Sequence, residues 1–143
     1  MTLADAIPDG AAVLVDTAPI IYLLEGNPLA APFESIFAAI DAGRIYAVVT
    51  AVTLAEVVAG PLCAGRDDLA ERYRHALTAS PAWTLRELDA ELAMLAARLR
   101  LRHHLRLPDA FQLAVAVHEG CFALVTHDRD FSSVTDLPVL GPP

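Results

Sequence analysis

The stretch Ala12-Val13-Leu14-Val15-Asp16-Thr17 decides the fold. Four consecutive apolar residues without polar alternation read as a short strand covered on both faces. The run stops at a carboxylate. Thr17 to Leu24 follows as a helix, with Pro19 early enough for a first turn to tolerate it. Gly26-Asn27-Pro28 breaks the chain, and Ala31 to Ala42 is helical in pattern, with Phe33, Ile36, Phe37 and Ile40 on one face. Gly43 ends it.

The same alternation continues. Ile45 to Val49 is β-branched and aromatic, a second strand. Thr50 is placed to cap a helix carrying Leu54, Glu56, Val57 and Val58, which the sequence stops near Gly60-Pro61. Asp67 to Thr78 is an amphipathic helix, Trp83 to Leu85 a short third strand, and Asp89 to Leu101 a helix with Leu92, Leu95, Ala96 and Leu99 along one stripe. Pro108 opens a further helix through His118, closed by Gly120. Phe122 to Thr126 is a fourth strand, and Pro138 to Leu140 a fifth at an edge. Buried strands alternating with helices imply a three-layer α/β/α protein with a mostly parallel sheet of four to five strands, in one domain spanning residues 1–143. In such sheets the chemistry sits past the carboxyl ends of the strands.

Composition narrows the class. The chain is 55% apolar and 20% charged, which excludes a disordered chain. No apolar run approaches the roughly 18 residues of a membrane span. Met1 to Gly10 has no basic residue ahead of its apolar stretch, so a cytoplasmic protein without a secretory signal is expected. Cys63 and Cys121 read as free thiols packed as small hydrophobes. The net charge of −8 opposes a nucleic-acid partner unless the acids are gathered in one pocket and neutralised there. All basic residues are arginine; there is no lysine.

Each candidate acid has a plain structural explanation. Asp16 could cap the helix after its strand. Glu56, among Leu54, Ala55, Val57, Val58 and Ala59, is either a costly carboxylate that needs a partner or the solvated face of its helix. Asp109 suits the positive end of a helix whose body is apolar nearly all round. Asp128 and Asp130 suit a turn. Taken together, the acids converge at one sheet edge, and clustered carboxylates are tolerated around a divalent cation. Oxygen donors favour Mg²⁺ or Mn²⁺, and the histidines lack the spacing of a zinc site.

Four segments, in order, resemble the motifs of PIN-domain ribonucleases, and among them the VapC toxins of bacterial toxin–antitoxin pairs. Val13-Leu14-Val15-Asp16-Thr17 with Ile21-Tyr22-Leu23-Leu24 resembles the opening motif. Thr53-Leu54-Ala55-Glu56-Val57 with Gly60 resembles the second, Leu107-Pro108-Asp109-Ala110 the third, and Leu124-Val125-Thr126-His127-Asp128-Arg129-Asp130-Phe131 the closing one. His127 stands where the family more often has asparagine or arginine. The resemblance implies that Asp16, Glu56, Asp109 and Asp128 hold one or two Mg²⁺ ions, with Asp130 as a supporting or alternative ligand; Thr17 or Thr126 either orients a ligand or phosphate through its hydroxyl or only caps a backbone turn. It implies hydrolysis of RNA phosphodiesters, blocking translation through tRNA, rRNA or mRNA. It also implies a VapB-type antitoxin partner and a homodimer. Arg98, Arg102 and Arg106, in the basic run that also holds Arg100, His103 and His104, are the candidates for phosphate contact; a solvated helix end accounts for them equally well.

Competing classes fail on missing residues. Receiver domains and haloacid-type phosphatases need a lysine, and P-loop nucleotidases need GK[ST]. Two alternatives stay open: a PIN-like binding module without catalysis, and a housekeeping nuclease without an antitoxin.

Overall fold

The computed structural model describes residues 1–143. Its sheet has five strands, all parallel, in the order β3-β2-β1-β4-β5. β1 (Ala12–Val15) is central. It pairs with β2 (Tyr46–Thr50) on one side and β4 (Ala123–Val125) on the other. β3 (Trp83–Arg86) and β5 (Val139–Leu140) form the two edges.

Side-chain alternation along the three central strands sorts the core into two layers. Val13, Val15, Ala47, Val49, Ala123 and Val125 face one layer. That layer is made by α1 (Thr17–Glu25), α2 (Glu34–Asp41), α3 (Ala51–Cys63) and α4 (Asp67–Thr78). Leu14, Val48 and Leu124 face the other, made by α5 (Ala90–His103) and α6 (Leu107–His118). The sheet is therefore covered on both faces, as expected. Val13, Leu14 and Val15 are each fully buried.

From β1 the chain moves outward to β2 and β3, then crosses back through α5 and α6 to β4 on the opposite side. The strand order reverses between β1 and β4, and a cleft opens beyond their carboxyl ends.

Many strand and helix ends shift by one residue from those read in the sequence, and a few differences have a physical cause. The segment 31–42 is not one helix: Pro28–Phe33 is 3₁₀, and α2 starts at Glu34. Pro32 lacks an N–H and restricts the residue before it, so the apolar periodicity runs across a break it cannot show. α3 does not stop at Gly60-Pro61 but runs to Cys63, because Pro61 removes one hydrogen bond only. The carbonyls of Gly60, Pro61 and Leu62 still accept, from Ala64, Arg66 and Gly65. α5 extends past Leu101 to His103, where His104 adopts a left-handed conformation (φ 56°) and turns the chain. β5 comprises two residues rather than three.

Leu14 sits at the centre of the sheet, fully buried against the α5/α6 layer. Leu14→Ala is expected to lower unfolding stability by about 2–5 kcal/mol, measured by urea titration, since a closely packed sheet cannot collapse into the void.

Candidate active site

Each central element ends at the cleft in a polar residue. β1 delivers Asp16, 7% exposed. Its carboxylate accepts three hydrogen bonds: at Oδ1 from the Thr17 N–H (2.9 Å) and Gln112 Nε2 (2.9 Å), and at Oδ2 from the Thr126 hydroxyl (2.7 Å). Asp16 thus caps α1 and faces the cleft at once. β2 delivers Thr50, whose hydroxyl accepts from the Thr53 N–H and so starts α3. One turn further along α3 comes Glu56. It is exposed, so no burial cost explains it; its Oε1 accepts from the Thr17 hydroxyl at 2.9 Å.

β4 leads to Thr126, buried, whose hydroxyl also accepts from the Asp128 N–H (2.9 Å). Asp128 Oδ1 in turn accepts from the Asp130 N–H (2.8 Å), closing the short 3₁₀ turn Arg129–Phe131. Asp109 lies in the first turn of α6, where Pro108 needs no N–H partner. Its side chain is 10% exposed and points into the cleft.

The cleft, about 270 Å³, is lined by Asp16, Thr17, Ala18, Ile21, Glu56, Arg106, Asp109 and Asp128. Four carboxylates thus face one guanidinium. Arg106 reaches Asp109 at 3.3 Å, Asp128 at 3.6 Å and Asp130 at 3.8 Å. Carboxylate oxygens of Asp109, Asp128 and Asp130 lie within 4.8 Å of one another. Asp128 lines the cleft and Asp130 stands at its rim with a side chain 59% exposed. An all-oxygen donor set with negative charge in excess fits a hard divalent cation.

The basic run divides. Arg98 is exposed without an ion-pair partner, Arg102 reaches Asp136 at 3.4 Å beside His103 (2.7 Å), and Arg106 turns into the acids. Gln112, Thr50 and Thr53 join the site although the sequence reading assigned them no part in it. The signal for Gln112 was its place as the one uncharged polar side chain in the body of an otherwise apolar helix. His127 sits beside the cleft, its Nδ1 3.0 Å from the Tyr22 hydroxyl.

Burial pushes the Asp109 carboxyl up to about 6, with Arg106 pulling it down and Asp128 and Asp16 adding to the rise. A carboxyl whose folded pKa is raised contributes stability that is complete below its unfolded value, near 3.8, and lost as pH rises through about 6. Asp109→Asn is therefore expected to raise the melting temperature in EDTA at pH 7.5 by more than at pH 4.5. Equal shifts at the two pH values would assign the effect to shape rather than charge.

The family model for the PIN domain matches residues 13–137. No curated protein matches the sequence. A toxin–antitoxin complex from Klebsiella pneumoniae contains a chain of the same fold, 24% identical, with 92% of this chain and 98% of that one covered at a TM-score of 0.71. VapBC2 from Rickettsia felis, bound to a DNA fragment from its promoter, superposes at a TM-score of 0.70 with 13% identity, covering 90% and 97%. VapC20 from Mycobacterium tuberculosis, a toxin that cleaves the sarcin–ricin loop, superposes at 0.69 with 18% identity, covering 88% and 98%. With nearly its whole length matched in sequence, and with the acids of its four motifs brought to one cleft, the chain belongs to the PIN domain family.

Proposed function

We propose that this protein is a metal-dependent endoribonuclease, the VapC-type toxin of a toxin–antitoxin pair, acting as one domain over residues 1–143 with Mg²⁺ or Mn²⁺. One observation carries the reading: Asp16, Glu56, Asp109 and Asp128, far apart in sequence, line one open cleft where the strand order reverses. Asp16, Glu56, Asp109 and Asp128 would hold the ion, with Asp130 at the rim as a supporting or alternative ligand. A bound divalent ion lowers the pKa of a water molecule and stabilises the leaving oxygen. The chain's own side chains supply the rest. Asp16 is held rigid by its three donors. Glu56, open to solvent, takes the proton from the attacking water. Arg106, with a side chain 71% exposed, is free to exchange the acids for an incoming phosphate. Thr17 and Thr126 fix Glu56 and Asp16 through their hydroxyls.

RNA contact falls to Arg98, Arg102 and Arg106, which offsets the acidic total locally. The resemblance to toxin–antitoxin complexes supports a VapB-type antitoxin as partner. Met94 and Leu101, 57% and 79% exposed on α5, support a homodimer. A cytoplasmic location goes with an RNA substrate, and no helix is long and apolar enough to cross a membrane.

Cleavage of total RNA by purified protein tests the reading, with Mg²⁺ or Mn²⁺, with EDTA, and beside Asp16→Asn. Discrete metal-dependent fragments that vanish in the variant are expected. Intact RNA, from folded protein free of any co-purified antitoxin, would point instead to a binding module. For the RNA surface, Arg98→Ala is expected to reduce the slope of log affinity against log salt by about 0.7–0.9, one phosphate contact. An unchanged slope removes Arg98 from the interface.

A further inference from the structure

Gln112 lies one turn after Asp109 on α6, 1% exposed, in a helix whose other buried side chains beyond Asp109 are apolar. A buried amide is costly unless every polar atom is matched. Here all are. Nε2 donates to Asp16 Oδ1 (2.9 Å) and to the Thr53 hydroxyl (2.8 Å). Oε1 accepts from the Thr50 hydroxyl (2.6 Å).

These partners fix the direction of every bond. A carboxylate only accepts, so the amide nitrogen must face Asp16; the flipped amide would set oxygen against oxygen. The Thr17 hydroxyl has one proton, and it goes to Glu56 Oε1 (2.9 Å). The 3.0 Å contact between Thr17 and Thr53 hydroxyls therefore has Thr53 as donor. Thr53 is thereby free to accept from Gln112. The result is a one-way series of donors, Gln112 to Thr53 to Thr17 to Glu56, with a branch from Gln112 to Asp16.

We infer that Gln112 is a positioning residue of the site, holding Asp16 directly and Glu56 through the hydroxyls of Thr53 and Thr17. At Asp16, both lone pairs of Oδ1 are engaged, by Thr17 N–H and Gln112, whereas Oδ2 has one engaged, by Thr126. Oδ2 is left as the oxygen that takes a cation. One side chain in the centre of the molecule thus sets which carboxylate oxygen of β1 is available and where the α3 glutamate stands. The inference rests on the metal site proposed above.

Mn²⁺ affinity separates the two. Binding is read from the free-ion signal in electron paramagnetic resonance for wild type, Gln112→Met, Thr53→Val and Thr53→Ser. Melting temperatures in EDTA show that each is folded at the working temperature. Thr53→Val removes the linking hydroxyl at nearly constant volume, and Thr53→Ser restores it. Gln112→Met and Thr53→Val are expected to bind Mn²⁺ at least tenfold more weakly than wild type, in the range set by loss of a metal ligand's supporting hydrogen bond. Thr53→Ser is expected within about threefold of wild type. A purely structural role would lower the melting temperature and leave the affinity of the folded protein unchanged. Wild-type affinity in Thr53→Val and in any folded Gln112→Met overturns the role of Gln112 and leaves the metal site standing. If Gln112→Met does not fold, the Val/Ser pair at Thr53 decides alone. Absence of Mn²⁺ binding in wild type overturns the metal site, and this role with it.

Discussion

β1 is buried on both faces and paired along both edges, and that constraint orders the rest of the molecule. Nothing charged can stand within Val13–Val15, so the first position open to an acid is Asp16. A carboxylate there, 7% exposed, must be given donors. Its three come from three separate places: the start of α1, the interior of α6 and the end of β4. The same bonds that make Asp16 tolerable pin those elements to one another. In this fold, satisfying a buried charge and assembling the cleft are a single requirement.

The electrostatics follow the same logic on a larger scale. A chain with net charge −8 is a poor candidate for binding a polyanion, unless much of the excess is gathered where a cation offsets it. The cleft gathers Asp16, Glu56, Asp109 and Asp128, with Asp130 close by. Arg106 offsets one charge among them. Burial alone already makes Asp109 reluctant to ionise. Arg106 only partly counters that reluctance, and the nearby Asp128 and Asp16 carboxylates add to it.

Much of this was legible in the chain, and the exceptions have physical causes. The apolar runs of β1, β2 and β4 declared a covered parallel sheet, because only such strands forgo polar alternation. Asp16, Asp109, Asp128 and Asp130 were legible through their places at element ends, and Glu56 as the lone charge on an apolar helix. Gln112 was not, because its meaning lies in Thr50 and Thr53, 62 and 59 residues away, and a single polar residue in an apolar helix names no partner. Arg106 was grouped with Arg98 and Arg102 by adjacency. The left-handed turn at His104 separates them, sending Arg106 to the head of α6 among the acids. Pro32 and Pro61 show the two ways a local rule misleads: the first breaks a helix whose periodicity conceals the break, and the second leaves a helix running that a proline was read to end.

The reversal of strand order between β1 and β4 has a consequence in time as well as space. Asp16 and Thr126, joined by a hydrogen bond, stand 110 residues apart in sequence. β1 finds its first edge partner in β2 early, but its second edge stays open until β4 has been made. Contacts of such long separation are formed slowly, because loop closure precedes the reward. A chain growing from its N-terminus holds Asp16 and Glu56 well before Asp109, and gains Asp128 last of the four. Until β4 is made it carries an incomplete set of site acids and a central strand paired along one edge only. An open edge of that kind invites association with other chains. Protection of the strand and completion of the cleft come from one stretch of chain, Ala123 to Val125 closing the edge and Asp128 following three residues later.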